Sequence, residues 1–166
     1  SGYLHAVPTG WTATGSGTPV IFGASYVTVD PFGSLAVQLE VPTQTIQQTV
    51  TGLTPNVQHQ LTFQLSTYYN YGNPSLLDVG LTGTSYVTST ITSSSQPWTT
   101  QTITFTPSGS TSVLSFTNSG VYGVSYPQID NVAIAAVPEA SEWAMMLSGL
   151  GVVGLIAQRR RRLRAD

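Results

Sequence analysis

Two histidines, seven carboxylates and five arginines are all that this chain offers for acid–base or ionic chemistry; cysteine and lysine are absent. His5 and His59 do not share a metal-ligand spacing such as His-x-x-x-His. His59 reads as a surface histidine on the polar face of its strand. No Gly-x-Ser-x-Gly, phosphate loop or dinucleotide fingerprint occurs. Gly15-Ser16-Gly17 lacks the strand–helix context that a phosphate cradle needs. A glycosidase needs two carboxylates flanking one bond. Asp30, Glu40, Asp78 and Asp130 are spread along the body, and no spacing brings a pair of them together. The chain therefore reads as non-enzymatic.

Binding chemistry has better material. Asp130 shares alternation parity with Val132 and Ile134. If those two face a core, so does the carboxylate. A buried carboxylate is costly without a partner, and no lysine or arginine occurs before Arg159. Backbone N–H groups, hydroxyls or a hard cation remain as partners, and Ca²⁺ takes carboxylate and carbonyl oxygens. The alternative is a β-bulge that points the side chain outward. Two aromatic loops offer a second chemistry. Sugars stack apolar C–H faces on flat rings and give their hydroxyls to polar side chains. Tyr68, Tyr69, Asn70 and Tyr71 form one such loop; Tyr122 and Tyr126 lie in another. Trp11 and Trp98 each adjoin a strand and read as packing residues.

These residues sit in a text of strands and turns. Leu61, Phe63 and Leu65 alternate with Gln60, Thr62, Gln64 and Ser66, the period of a half-buried strand. Similar runs cover Leu35–Glu40, Leu77–Leu81, Gln101–Phe105, Leu114–Phe116 and Val132–Ile134. Shorter candidates are Pro19–Phe22, Ser25–Asp30, Ile46–Val50 and Ser85–Ile91. Turn signals such as Asp30-Pro31-Phe32-Gly33 and Pro107-Ser108-Gly109-Ser110 separate them. About nine or ten short strands at this spacing imply an all-β jelly-roll sandwich. The 19 Ser and 24 Thr among 166 residues suit the outward faces of such strands. Only 7% of residues are charged, and 10% are aromatic. Disorder wants the reverse, and a nucleic-acid binder needs bases on its folded surface.

The end of the chain changes character after Val137-Pro138-Glu139. Ala144 to Ala157 carries no charge and is followed by Gln158 and Arg159–Arg162. As a helix this run is about 21 Å long, short of the roughly 30 Å hydrocarbon layer. Trp143 stands where an interfacial aromatic would, and the arginines stand where a positive-inside stop would. Long arginine side chains snorkel and lengthen the effective span. The expectation is a β-sandwich over 1–136 and a tail over 137–166 with a single hydrophobic membrane helix at 143–158.

Pro138, Glu139, Trp143, the glycines of the apolar run and Arg159, Arg160, Arg161 and Arg162, in this order, resemble the PEP-CTERM sorting tail of Gram-negative, exopolysaccharide-producing bacteria. Ala140 replaces the usual second proline. The resemblance implies export, inner-membrane anchoring through the helix, and processing by an exosortase-type enzyme near Pro138-Glu139. The destination would then be the envelope, the surface or the extracellular matrix.

The body is similar to galactose-binding-like jelly rolls of the choice-of-anchor type and of plant cell-wall proteins. The similarity runs through Gly10-Trp11-Thr12, Leu35–Leu39, Ile46–Val50, Gly52-Leu53-Thr54-Pro55-Asn56, Ile103-Thr104-Phe105 and Pro127–Val132. It implies saccharide binding without fixing the ligand, and a structural calcium near the last strand with Asp130 as a ligand; with the tail, the expected ligand is extracellular polysaccharide. The Asn-Gly-containing first strand of those relatives does not appear, which implies a truncated start. The competing reading is a structural or adhesive surface protein that recognises other proteins.

Overall fold

A computed structural model describes residues 3–23, 35–67, 75–86, 88–93, 98–138 and 148. The chain divides into two compact units, Ser1–Ala136 and Val137–Asp166. The first unit is built from β1 (Tyr3–His5), β2 (Thr12–Thr14), β3 (Val20–Gly23), β4 (Leu35–Gln38), β5 (Thr45–Thr51) and β6 (His59–Thr67). They are followed by β7 (Ser75–Leu81), β8 (Thr88–Ser93), β9 (Thr99–Phe105), β10 (Thr111–Asn118) and β11 (Pro127–Ala136). One sheet has the order β1-β3-β4-β11-β6-β9 and the other β2-β5-β10-β7-β8. Neighbours pair antiparallel throughout, as the registers of β10 with β5 and of β6 with β9 illustrate. This is an all-β, two-sheet sandwich of jelly-roll type.

Alternation explains the core. Leu61, Phe63 and Leu65 of β6 point inward from one sheet; Leu114 and Phe116 of β10, with Leu77, Val79 and Leu81 of β7, point inward from the other. Phe63 and Phe116 meet edge to face, with centroids 5.0 Å apart. Each such side chain contributes about 1.5–3 kcal/mol on burial. The β5–β6 and β9–β10 loops, which both cross between the sheets, are joined by Leu53 N–H to Ser110 O (3.1 Å) and Asn56 N–H to Pro107 O (2.8 Å).

Two short strands, β1 and β2, are too brief to show a period in the sequence. β8 starts three residues later than the Ser85–Ile91 run implies. The expected strand Ser25–Asp30 lies outside the described residues. His59 requires a correction: it is 4% exposed, not a surface residue. Counting by twos puts it on the face of Leu61, and it stacks on Phe105 at 5.7 Å. Its Nδ1–H donates to Val57 O (2.8 Å), which satisfies the ring where it is buried.

The opposite face of the six-stranded sheet is polar yet buried at one end. Val20, Gln38, Gln128 and Ser66 stand in one register row across β3, β4, β11 and β6, and all four are buried. Gln128 Nε2 donates to Gln38 Oε1 (3.0 Å), and Gln38 Nε2 donates to Glu40 Oε1 (3.1 Å). An ionised carboxylate only accepts, so Glu40 sets the direction of both amides. Gln128 Oε1 is left at the far end, buried, with no partner among the described residues.

In the second unit Val137, Pro138 and Ser148 are described, and Ser148 is helical. Glu139, Trp143, the expected helix 143–158 and Arg159–Arg162 otherwise lie outside the described residues. Among the described residues no helix is long and apolar enough to cross a membrane.

Candidate functional site

Among the described residues, one cleft between the two sheets begins at a turn. Trp11 N–H donates to Pro8 O (3.0 Å), closing Pro8-Thr9-Gly10-Trp11. Gly10 has φ +84°, the left-handed value that the third position of a type II turn requires. A Cβ there would lie 3.3 Å from Gln48 Nε2, so glycine also lets the turn rest against β5. The turn delivers Trp11 to the rim of the core. Its ring lies 5.9 Å from Phe116, and its side chain is half-buried.

Trp11 and Pro8 share the cleft with Val37 of β4, Ile46 and Gln48 of β5, and Ile129, Asp130, Asn131 and Val132 of β11. Its volume is about 330 Å³, inside the usual range of ligand clefts of about 300–1,000 Å³. One wall comes from the six-stranded sheet and the other from the five-stranded sheet.

A bulge shapes the β11 wall. Ile129 pairs with Leu65 and Asp130 with Gln64, but Ala133 pairs with Thr62. One extra residue is therefore accommodated between them, and Asn131 takes φ +48°. Asparagine tolerates this region better than most residues. Val132 and Ile134 pack against the core as expected. Asp130 does not follow them, because the bulge breaks the parity; it stands in register with Gln64 and is only partly buried. Its Oδ1 accepts the N–H of Asn131 (2.7 Å). Bulges commonly re-aim side chains beside functional sites.

The chemistry available is that of binding. An indole and five aliphatic side chains form an apolar surface, while two amides supply donors and acceptors; the Asp130 carboxylate stands beside them with its Oδ2 buried. Hydrolysis of a glycosidic bond needs a second carboxylate, and Asp130 is the only one among the described lining residues. Calcium takes six to eight oxygens. Among the described residues no group of three or more His, Cys, Asp or Glu comes together, and one oxygen of Asp130 already holds a backbone N–H.

Tyr68, Tyr69, Asn70 and Tyr71 are outside the described residues. Tyr122 and Tyr126 belong to the β10–β11 loop and do not line the cleft. Tyr122 is 73% exposed; Tyr126 is half-buried, with its N–H on Ser75 Oγ (2.9 Å). That loop is organised by Asn118, which is fully buried. Its Nδ2 donates to Leu39 O (3.1 Å) and Ser125 O (2.9 Å). Its Oδ1 accepts from Gly120 N (3.0 Å) and Ser125 Oγ (2.9 Å). A Cβ on Gly120 would fall 2.1 Å from Ser125 Oγ, so this turn closes only on glycine. Trp98 is half-buried beside β9. Gln48, Asn131 and the cleft role of Trp11 were not legible as a site. The one signal was Pro8-Thr9-Gly10-Trp11, a turn that ends on an aromatic.

Similar architectures occur among solved structures. The CBM22-1 xylan-binding domain from Paenibacillus barcinonensis Xyn10C is similar at TM-score 0.61 and 14% identity, over 81% of this chain and 90% of that one. TmCBM61, solved with β-1,4-galactotriose, is similar at TM-score 0.57 and 12% identity, over 78% and 90%. The α-L-arabinofuranosidase MgGH51, bound to arabinose, is similar at TM-score 0.57 and 11% identity, but only over 23% of its own length against 77% of this chain. At these identities the likeness is one of fold. No curated protein sequence matches the chain. The stretch that folds as the sandwich is also the stretch with a sequence kinship: residues 5–135 match the family described as Protein of unknown function (DUF642), and the chain belongs to that family.

Proposed function

We propose that the sandwich binds extracellular polysaccharide without cleaving it, and that Trp11, Gln48 and Asn131 hold the sugar. One observation carries this reading: an aromatic ring and amides line a single cleft in a fold shared with xylan- and galactotriose-binding modules. The indole face and its aliphatic neighbours suit C–H stacking, and the two amides suit hydroxyls. Tyr122 and Tyr126, with Tyr68, Tyr69, Asn70 and Tyr71, are proposed as further sugar contacts.

The tail is proposed to deliver the domain. Pro138, Glu139, Trp143 and Arg159–Arg162 would mark it for an exosortase-type enzyme of a Gram-negative bacterium. The apolar run would hold it in the inner membrane until it is processed, and the envelope or matrix would receive it.

Affinity electrophoresis against a panel of soluble polysaccharides tests the binding. Trp11→Ala and Gln48→Ala should each abolish retardation by a polysaccharide that retards the parent chain. Gln48 is only partly buried, so its variant separates binding from folding. Mass spectrometry of the protein from its native host tests the tail, and an intact Asp166 in the mature protein would remove the processing step.

A second reading has its own observation. Val121 and Tyr122, 67% and 73% exposed, stand side by side on a tightly braced loop. An adhesive protein would use that tip to meet another protein. Tyr122→Ala would then abolish protein capture and leave polysaccharide retardation intact.

A further inference from the structure

The cleft is graded from an apolar floor to a polar mouth. Val37 and Ile129 stand opposite each other in the register of β4 with β11, so their Cβ atoms lie about 4.5–5.5 Å apart. Ile46 comes from the other sheet. Ile46 and Ile129 are each 2% exposed and belong to the main core cluster, against which Val37, Val132 and Trp11 pack. The floor is therefore a window onto the hydrophobic core. The two amides are nearer the solvent: Gln48 is partly buried and Asn131 is exposed. Six of the nine described lining residues are apolar, so the cleft has far more to offer a carbon than a hydroxyl. Its volume of about 330 Å³ lies at the small end of ligand clefts, which suits a terminal sugar unit rather than a run of chain. An ordinary hexose carries a hydroxymethyl arm beyond its ring. Against Val37, Ile46, Ile129 and Val132 that hydroxyl would meet side chains with neither donor nor acceptor, and a buried hydroxyl without a partner is costly. An arm that ends in methyl avoids this penalty and adds buried apolar contact.

We propose that the cleft selects a terminal 6-deoxyhexose: its methyl group packs on Val37, Ile46, Ile129 and Val132, and its ring hydroxyls meet Gln48 and Asn131. This rests on the saccharide-binding reading above and deepens it by naming the sugar class. An apolar pocket rejects an added hydroxyl by a limited factor, so the deoxy sugar should bind about ten- to hundredfold more tightly than its parent hexose.

The test uses the full chain and matched pairs of methyl glycosides. Glucose, galactose and mannose are each set beside their own 6-deoxy form, in both the D and the L series, and binding is followed by calorimetry. In whichever configuration binds, the deoxy member should be the tighter by about tenfold or more. Equal or weaker binding of the deoxy member overturns the proposal. Two variants place the methyl group. Val37→Thr and Val132→Thr put a hydroxyl on the floor with little change of volume. Both positions are only partly buried, and both lie in strands, which threonine suits. At least one of these variants should lower the deoxy preference several-fold by giving the hexose hydroxyl a partner. A preference unchanged in both overturns the assignment of the methyl group to this floor. Each preference is a ratio measured on one protein, so partial unfolding of a variant does not alter it. No binding in any pair removes the saccharide reading itself, whereas hexoses that bind as tightly as their deoxy partners remove only the deoxy selection.

Discussion

Asn118 shows how much one buried side chain can organise. Its amide has two donors and two acceptor positions, and all four are used, on Leu39 O, Ser125 O, Gly120 N and Ser125 Oγ. Truncation would leave several buried polar groups unpaired, each at about 1–3 kcal/mol. Asn118→Ala should therefore lower stability by roughly 3 kcal/mol in a urea melt, and a loss below about 1 kcal/mol would mean that water can replace the amide. The position was partly legible. Asn118 shares parity with Leu114 and Phe116, and a polar residue at an inward position needs partners. Which partners those are depends on β4 and the β10–β11 loop, which are remote in sequence. His59 makes the same point in reverse: its parity with Leu61 outweighs its polarity.

At the scale of the element, the β11 bulge decides the candidate site. Without it, Asp130, Val132 and Ile134 would share one face. The extra residue takes the carboxylate out of the alternation that Val132 and Ile134 share. Asn131 makes this possible by accepting φ +48°. A β-branched residue in that conformation costs about 1–2 kcal/mol. Asn131→Val should therefore lower the melting temperature, while Asn131→Gly should not. The side chain is exposed, so lost packing does not confuse the comparison. Equal effects of the two substitutions would rule out the backbone explanation. Alternation fails here because a period of two has no way to announce an inserted residue. The strands themselves were legible wherever one face is buried, as in β6, β7 and β10. β1 and β2 were not, since three residues hold too little pattern.

For the whole molecule, the first unit carries its own core. Among the described residues, the main cluster of buried hydrophobics runs from Leu39 to Ile129. A chain ending at Ala136 should fold to the same β-rich state and melt within a few degrees of the full chain. A collapse of near-ultraviolet dichroism on truncation would show that residues 137–166 complete the fold. The same scale governs the charge field: with no lysine or arginine in residues 1–158, the sandwich carries no strongly basic side chain.

Two-residue periodicity, turn chemistry and composition determined that this is an all-β sandwich poor in catalytic groups and free of basic residues over most of its length. Those properties are local or additive, so a linear text can carry them. The cleft is neither. Trp11, Gln48 and Asn131 come from three stretches that become neighbours only when β2, β5 and β11 take their places in opposite sheets. Antiparallel pairing and sheet packing are long-range events, and they, not any local motif, put a ring, two amides and a carboxylate around one space.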